Sequence, residues 1–125
     1  MYKPINEFIC RTFLSRNMSH LEHWKTNSYA THTALGSFYE DIIGKIDSFI
    51  EAYQGAFSKV TIKIDEKLED ELEGRTDILL SLQDDVKWIN KNRTELAGKV
   101  PALENILDEV TDTYLSTIYK LRFLS

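Results

Sequence analysis

Apolar residues recur at helical spacing along most of the chain, separated by short polar breaks. After Pro4, a residue suited to a first helical turn, Ile5, Phe8, Ile9, Phe13, Leu14, Leu21 and Trp24 trace one stripe and predict a helix over about residues 4–26. Asn27 and Ser28 break the pattern, and Ser28 is placed to cap the next helix. His32, Leu35, Tyr39, Ile42, Ile46, Phe49 and Tyr53 then step by 3, 4, 3, 4, 3, 4. This is the seam of a helix packed among others, running to about Gln54 with Gly55 as the residue just beyond its end. Ile43 and Ile50 lie to one side of the seam as a second apolar edge, which calls for a further surface to cover it.

Between Gly55 and residue 75 the pattern thins. Val60–Ile64 alternates like a short extended segment, and the charged stretch Asp65–Glu73 carries only Leu68 and Leu72 on one edge. A connection of about twenty residues is far longer than antiparallel neighbours need, so it predicts a crossover. A third helix is expected over about residues 76–93, with Ile78, Leu79, Leu82, Val86 and Ile89 inward and Trp88 at the margin. A polar loop from Asn92 to Lys99 comes next, and Pro101 opens a fourth helix along Leu103, Ile106, Leu107, Val110, Tyr114, Ile118 and Leu121. Five glycines and two prolines in 125 residues leave little room for the turns of a β protein. The expectation is an all-α, ferritin-like four-helix bundle, one domain over residues 1–125, with the long crossover between helices two and three.

Composition narrows the function. Fifteen Lys and Arg against twenty Asp and Glu give a net charge of −5, the wrong sign for coating nucleic acid. A single cysteine excludes a disulfide framework and CxxC sites, and favours a reducing compartment. No apolar run approaches a membrane span, and the first residues lack the pattern of a secretory leader. A cytoplasmic protein is expected.

Candidate chemistry gathers around the first helical junction. His20, His23 and His32 are the only histidines; His20 and His23 share a face at i, i+3, and Trp24 gives them an apolar wall. Three histidines near a hairpin can also be no more than a solvated turn. Asp47 and Glu51, at i, i+4 on the second helix, can grip one cation, and iron suits mixed carboxylate and imidazole ligands; equally, such acid pairs are common on surfaces. His32 and Asp47 are fifteen residues apart, roughly 22 Å along a helix, so one ion cannot reach both within a single copy. Joint use requires a second copy, and Ile43 and Ile50 lie on the side where it would dock.

His23-Trp24, His32 on the next helix, Phe38-Tyr39 and Asp47-Ser48-Phe49-Ile50-Glu51 together resemble the Dps-type miniferritins over about residues 10–55. The resemblance implies a di-iron ferroxidase site at a twofold interface, with His23 and His32 from one subunit, Asp47 and Glu51 from its neighbour, and Trp24 beside it. It further implies oxidation of Fe(II) and storage of Fe(III), in a homo-oligomer built from dimers, a dodecamer in that family. The interval from His23 to His32 is nine residues, shorter than the family's, and His20, twelve residues before His32, competes with His23 for the first ligand position. No Lys-rich tail of the kind used by DNA-binding members is seen. The alternatives are a ferritin-like structural or interaction protein without catalytic metal, and a monomeric helical binding module.

Overall fold

The computed structural model describes residues 3–125; Met1 and Tyr2, at the start of the segment expected to lack a leader, lie outside the described residues. The elements are α1 (Pro4–Lys25), α2 (Tyr29–Ala56), α3 (Glu66–Glu73), α4 (Ile78–Lys91), α5 (Arg93–Ala97) and α6 (Pro101–Phe123). The protein is all-α. Ser28 caps α2, its hydroxyl accepting from the Thr31 N–H, and Pro4 and Pro101 open α1 and α6 where their missing N–H groups cost nothing.

The four long helices close a ring of contacts in the order α1, α2, α6, α4. Side-chain contacts fix their directions. His23 meets His32 at one end of the α1–α2 pair, while Asn6 reaches the backbone of Thr61 and Lys63, beyond the other end of α2. Those two helices are therefore antiparallel. Lys45 donates to Thr113 near the middle of α2 and α6, and Tyr29 and Ala30 share a cavity with Leu124, so this pair is antiparallel too. Asp85 of α4 faces Arg11 and Ser15, and Trp88, one turn further on, lies under Arg11 at 5.4 Å on the side nearer the start of α1, so α4 runs against α1 and alongside α2. Residues 57–77 return the chain along α1 to make this possible.

One apolar core fills the ring. Phe8, Leu35, Phe38, Ile42, Phe49, Leu82, Leu103, Leu107, Val110 and Tyr114 are sealed from solvent, and Phe8 packs on Phe49 with centroids 5.0 Å apart. Burial on this scale is the main favourable term of folding, at roughly 25 cal/mol per Å² of apolar surface.

Several expectations are corrected. The charged stretch 65–73 is helical: Asp65 caps α3 through the Leu68 N–H, and Leu68 and Leu72 bury against Cys10 and Leu14 in a satellite core. Two buried leucines at i, i+4 suffice because α1 supplies the other half of that core. The expected 92–99 loop contains α5, driven by the burial of Leu96 and Ala97, and turns at Gly98, whose φ of 58° suits glycine. Gly55 lies within α2, not beyond its end. Ile50 packs against the core, so the second edge of α2 reduces to Ile43, 37% exposed. Leu21 and Trp24 do not join the buried stripe and are exposed. Asp85 lies opposite Arg11 and Ser15, so α4, which starts at Ile78, begins about two turns further along and stops short of the end of α1. No described helix is long and apolar enough to cross a membrane.

Candidate functional site

The three-residue link between α1 and α2 brings all the histidines to one end of the molecule. Nδ1 of His23 lies 2.5 Å from the carbonyl oxygen of His32, and Nδ1 of His32 lies 2.7 Å from the carbonyl oxygen of His23. A carbonyl can only accept, so each Nδ1 carries the proton and donates. In the neutral rings the lone pair then resides on Nε2. The two imidazoles stack with centroids 3.6 Å apart and 16° between planes. His23 is in the last turn of α1, where carbonyls lack helical partners, so His32 also caps that helix.

His20 takes a different place. Its ring stacks on Tyr39 at 4.0 Å and 14°, tilts against Trp24 at 4.3 Å, and stands 6.3 Å from His23. The Arg16 guanidinium lies 5.4 Å from the Tyr39 ring centre. The structure thus brings His23 to His32 and leaves His20 in an aromatic stack beside them. Trp24 flanks His20 with its ring largely in solvent, at 67% exposure.

Gly36 completes the pocket from α2. A Cβ at that position would stand 3.1 Å from Cε1 and 3.3 Å from Nδ1 of His23, so the ring occupies the space a side chain would fill. The apolar pattern alone gives Gly36 no role; the available signal is a glycine inside a helix, four residues after a histidine.

Asp47 and Glu51 are exposed, one helical turn apart, and neither forms an ion pair among the described residues. They lie about 22 Å and about 28 Å along α2 from His32. Among the described residues, no three His, Cys, Asp or Glu side chains converge on a point that could hold a metal within one copy. Phe13, Arg16, Asn17 and Ile43 line a shallow cavity of ≈ 340 Å³ on the outer α1–α2 face between these two groups.

A second polar cluster centres on a buried carboxylate. Asp85, with a side chain 0% exposed, accepts from Arg11 at 2.8 Å, from Arg75 at 2.9 Å and from the Ser15 hydroxyl. Arg11 also pairs with Glu7 and Asp84, which together with Asp85 hold its guanidinium more firmly charged despite its burial. Burial, then the Asp85 charge, pushes the Tyr114 hydroxyl well above its ordinary range. The sequence carried a signal for this knot: Asp85 falls between Leu82 and Ile89 on the inward face of α4. It ties α1, α4 and the connection before α4 together.

Residues 23–121 match the Family of unknown function (DUF5856), and the chain belongs to that family. The matched span includes His23, His32, Asp47 and Glu51 and begins after His20. No curated protein and no solved structure matches the chain.

Proposed function

We propose that this protein is a ferritin-like helical protein that self-associates through the outer α1–α2 face and takes up iron between copies, oxidising Fe(II) for storage. The observation that carries the proposal is the tethering of both Nδ1 atoms. An imidazole that donates its Nδ1–H to a carbonyl has a fixed orientation and a basic Nε2, which is how metal-binding histidines are commonly held. Asp47 and Glu51 supply exposed oxygen donors, without an ion-pair partner among the described residues, suited to the same ion. Separation of the two groups along α2 supports a site divided between copies, for which Phe13 and Ile43 offer an apolar seat. The helix directions, with α2 and α4 alongside one another and the long connection between them, support the ferritin-like order.

Iron here is substrate. Two Fe(II) ions each give up one electron; with peroxide as oxidant, the O–O bond breaks and two protons complete two waters. The chain contributes ligands and position, with few enough donors to leave coordination sites open. Saturable Fe(II) oxidation, followed by ferric absorbance in air and with peroxide, should be lost in Asp47→Ala while assembly persists. Oxidation by that variant at the wild-type rate would refute the site.

The same two hydrogen bonds favour one other function for the histidines, a clasp that closes the helix hairpin in a protein without metal. His32→Asn separates the two, because the Asn amide can donate as Nδ1 does but offers nothing in place of Nε2.

A further inference from the structure

The outer face of α6 carries Leu115, Tyr119 and Phe123 at successive steps of four, each about half exposed or more. Single exposed apolar residues are ordinary, but three on consecutive turns make a continuous strip. Charge along this face is graded. Asp108 and Asp112 precede the strip and Arg122 ends it. Asp108 is paired with Arg93 at 2.7 Å, and the Arg122 guanidinium lies 4.7 Å from the Phe123 ring centre. Neither Asp112 nor Arg122 forms an ion pair among the described residues, and Asp112 also borders a small cavity between α2 and α6.

A helix face that is acidic first and basic last complements itself when two copies run antiparallel. Leu115 with Tyr119, and Asp112 with Arg122, share the same midpoint, residue 117. A single twofold axis at that level therefore sets the apolar residues against each other and the opposite charges across the rim. We propose that the outer face of α6 is a self-complementary interface between two copies of this chain, with Leu115 and Tyr119 at its centre and Asp112 pairing with Arg122 of the second copy.

This interface is independent of the α1–α2 face. The two faces use different residues, Phe13 and Ile43 on one and Leu115, Tyr119 and Phe123 on the other, and α1 stands diagonally across the ring from α6. Two distinct twofold contacts on one chain build an assembly larger than a dimer.

Sedimentation and light scattering test this directly, starting from Ile43→Glu to remove the α1–α2 contact. That variant should form a dimer of twice the 14.5 kDa chain mass. Adding Tyr119→Glu should weaken the dimer about thirtyfold or more, the cost of spoiling a central interface residue. Arg122→Asp alone should weaken it about tenfold, and Asp112→Arg with Arg122→Asp should restore it to within about threefold, a rescue that only pairing across the axis produces. A monomer in the Ile43→Glu background, no effect of Tyr119→Glu, or failure of the double swap to restore would each overturn the interface. Indifference of the wild-type mass to Ile43→Glu, together with loss of mass in Tyr119→Glu, would support this interface while removing the α1–α2 one.

Discussion

Replacing Gly36 with alanine sets two effects of opposite sign against each other. Glycine inside a helix is about 1 kcal/mol less favourable than alanine, so the propensity term alone is stabilising. Gly44, also within α2, isolates that term, because nothing lies within 4 Å of its Cβ position. At Gly36 the new methyl would stand 3.1 Å from Cε1 of His23, and the ring would have to retreat. It has nowhere to go without loss, being stacked on His32 at 3.6 Å and tied through Nδ1 at 2.5 Å. Losing that hydrogen bond costs about 1 kcal/mol and loosening the stack about 1 kcal/mol more. Gly36→Ala should therefore destabilise by about 1 kcal/mol, and Gly44→Ala should stabilise by about the same amount. Urea unfolding of both variants at one protein concentration reads the gap, about 2 kcal/mol, or about 6–10 °C in Tm for a chain of this length. In a His23→Ala background, Gly36→Ala should turn stabilising. Equal stabilisation by the two single substitutions would refute the wedged position of His23.

Three further outcomes rest on particular contacts. His32→Asn should keep about half of the stability that His32→Ala loses, about 1 of about 2 kcal/mol, because the amide restores the hydrogen bond but not the stack, while abolishing binding of Fe(II) or Co(II) measured by titration calorimetry. Asp85→Ala should destabilise by about 3–5 kcal/mol in urea unfolding, because it leaves the Arg11 and Arg75 charges buried without their shared carboxylate. Burial, then the charges of Glu69 and Glu7, push the Cys10 thiol up to about 11. At pH 8 its alkylation by iodoacetamide should be about a hundredfold slower than that of a free cysteine. Because the folded value is raised, the neutral thiol's contribution to stability should be complete below the ordinary value of 9.0 and be lost as pH rises toward about 11.

Wherever a helix supplies its own signal, the fold was legible in the sequence. The 3–4 stepping of α2 and α6, Ser28 as a cap and the prolines at the start of α1 and α6 all act within a few residues of themselves. α3 and α5 were not legible, because Leu68, Leu72, Leu96 and Ala97 carry too few apolar positions to show a period and depend on α1 and the main core for burial. Leu21 and Trp24 had the right spacing for burial but lie where α4 does not reach, a fact of element length and stagger. At the candidate site, the nearness of His23 and His32 was implied by a short link between helices. The exchange of Nδ1 hydrogen bonds and the room made by Gly36 were not, since both depend on how the two helix axes approach.

The central claim, an iron site shared between copies, is tested most directly by complementation. One variant carries Asp47→Ala and Glu51→Ala, the other His23→Ala and His32→Asn; each is assayed alone for Fe(II) oxidation, then both are unfolded, mixed in equal amounts and refolded together. Each alone should be inactive. Random pairing puts half of the dimers in mixed form, and each mixed dimer holds one intact site of two, so the mixture should recover about a quarter of the wild-type rate. Inactivity of both variants alone and of the mixture, with mixed dimers demonstrated by mass, would contradict the shared site.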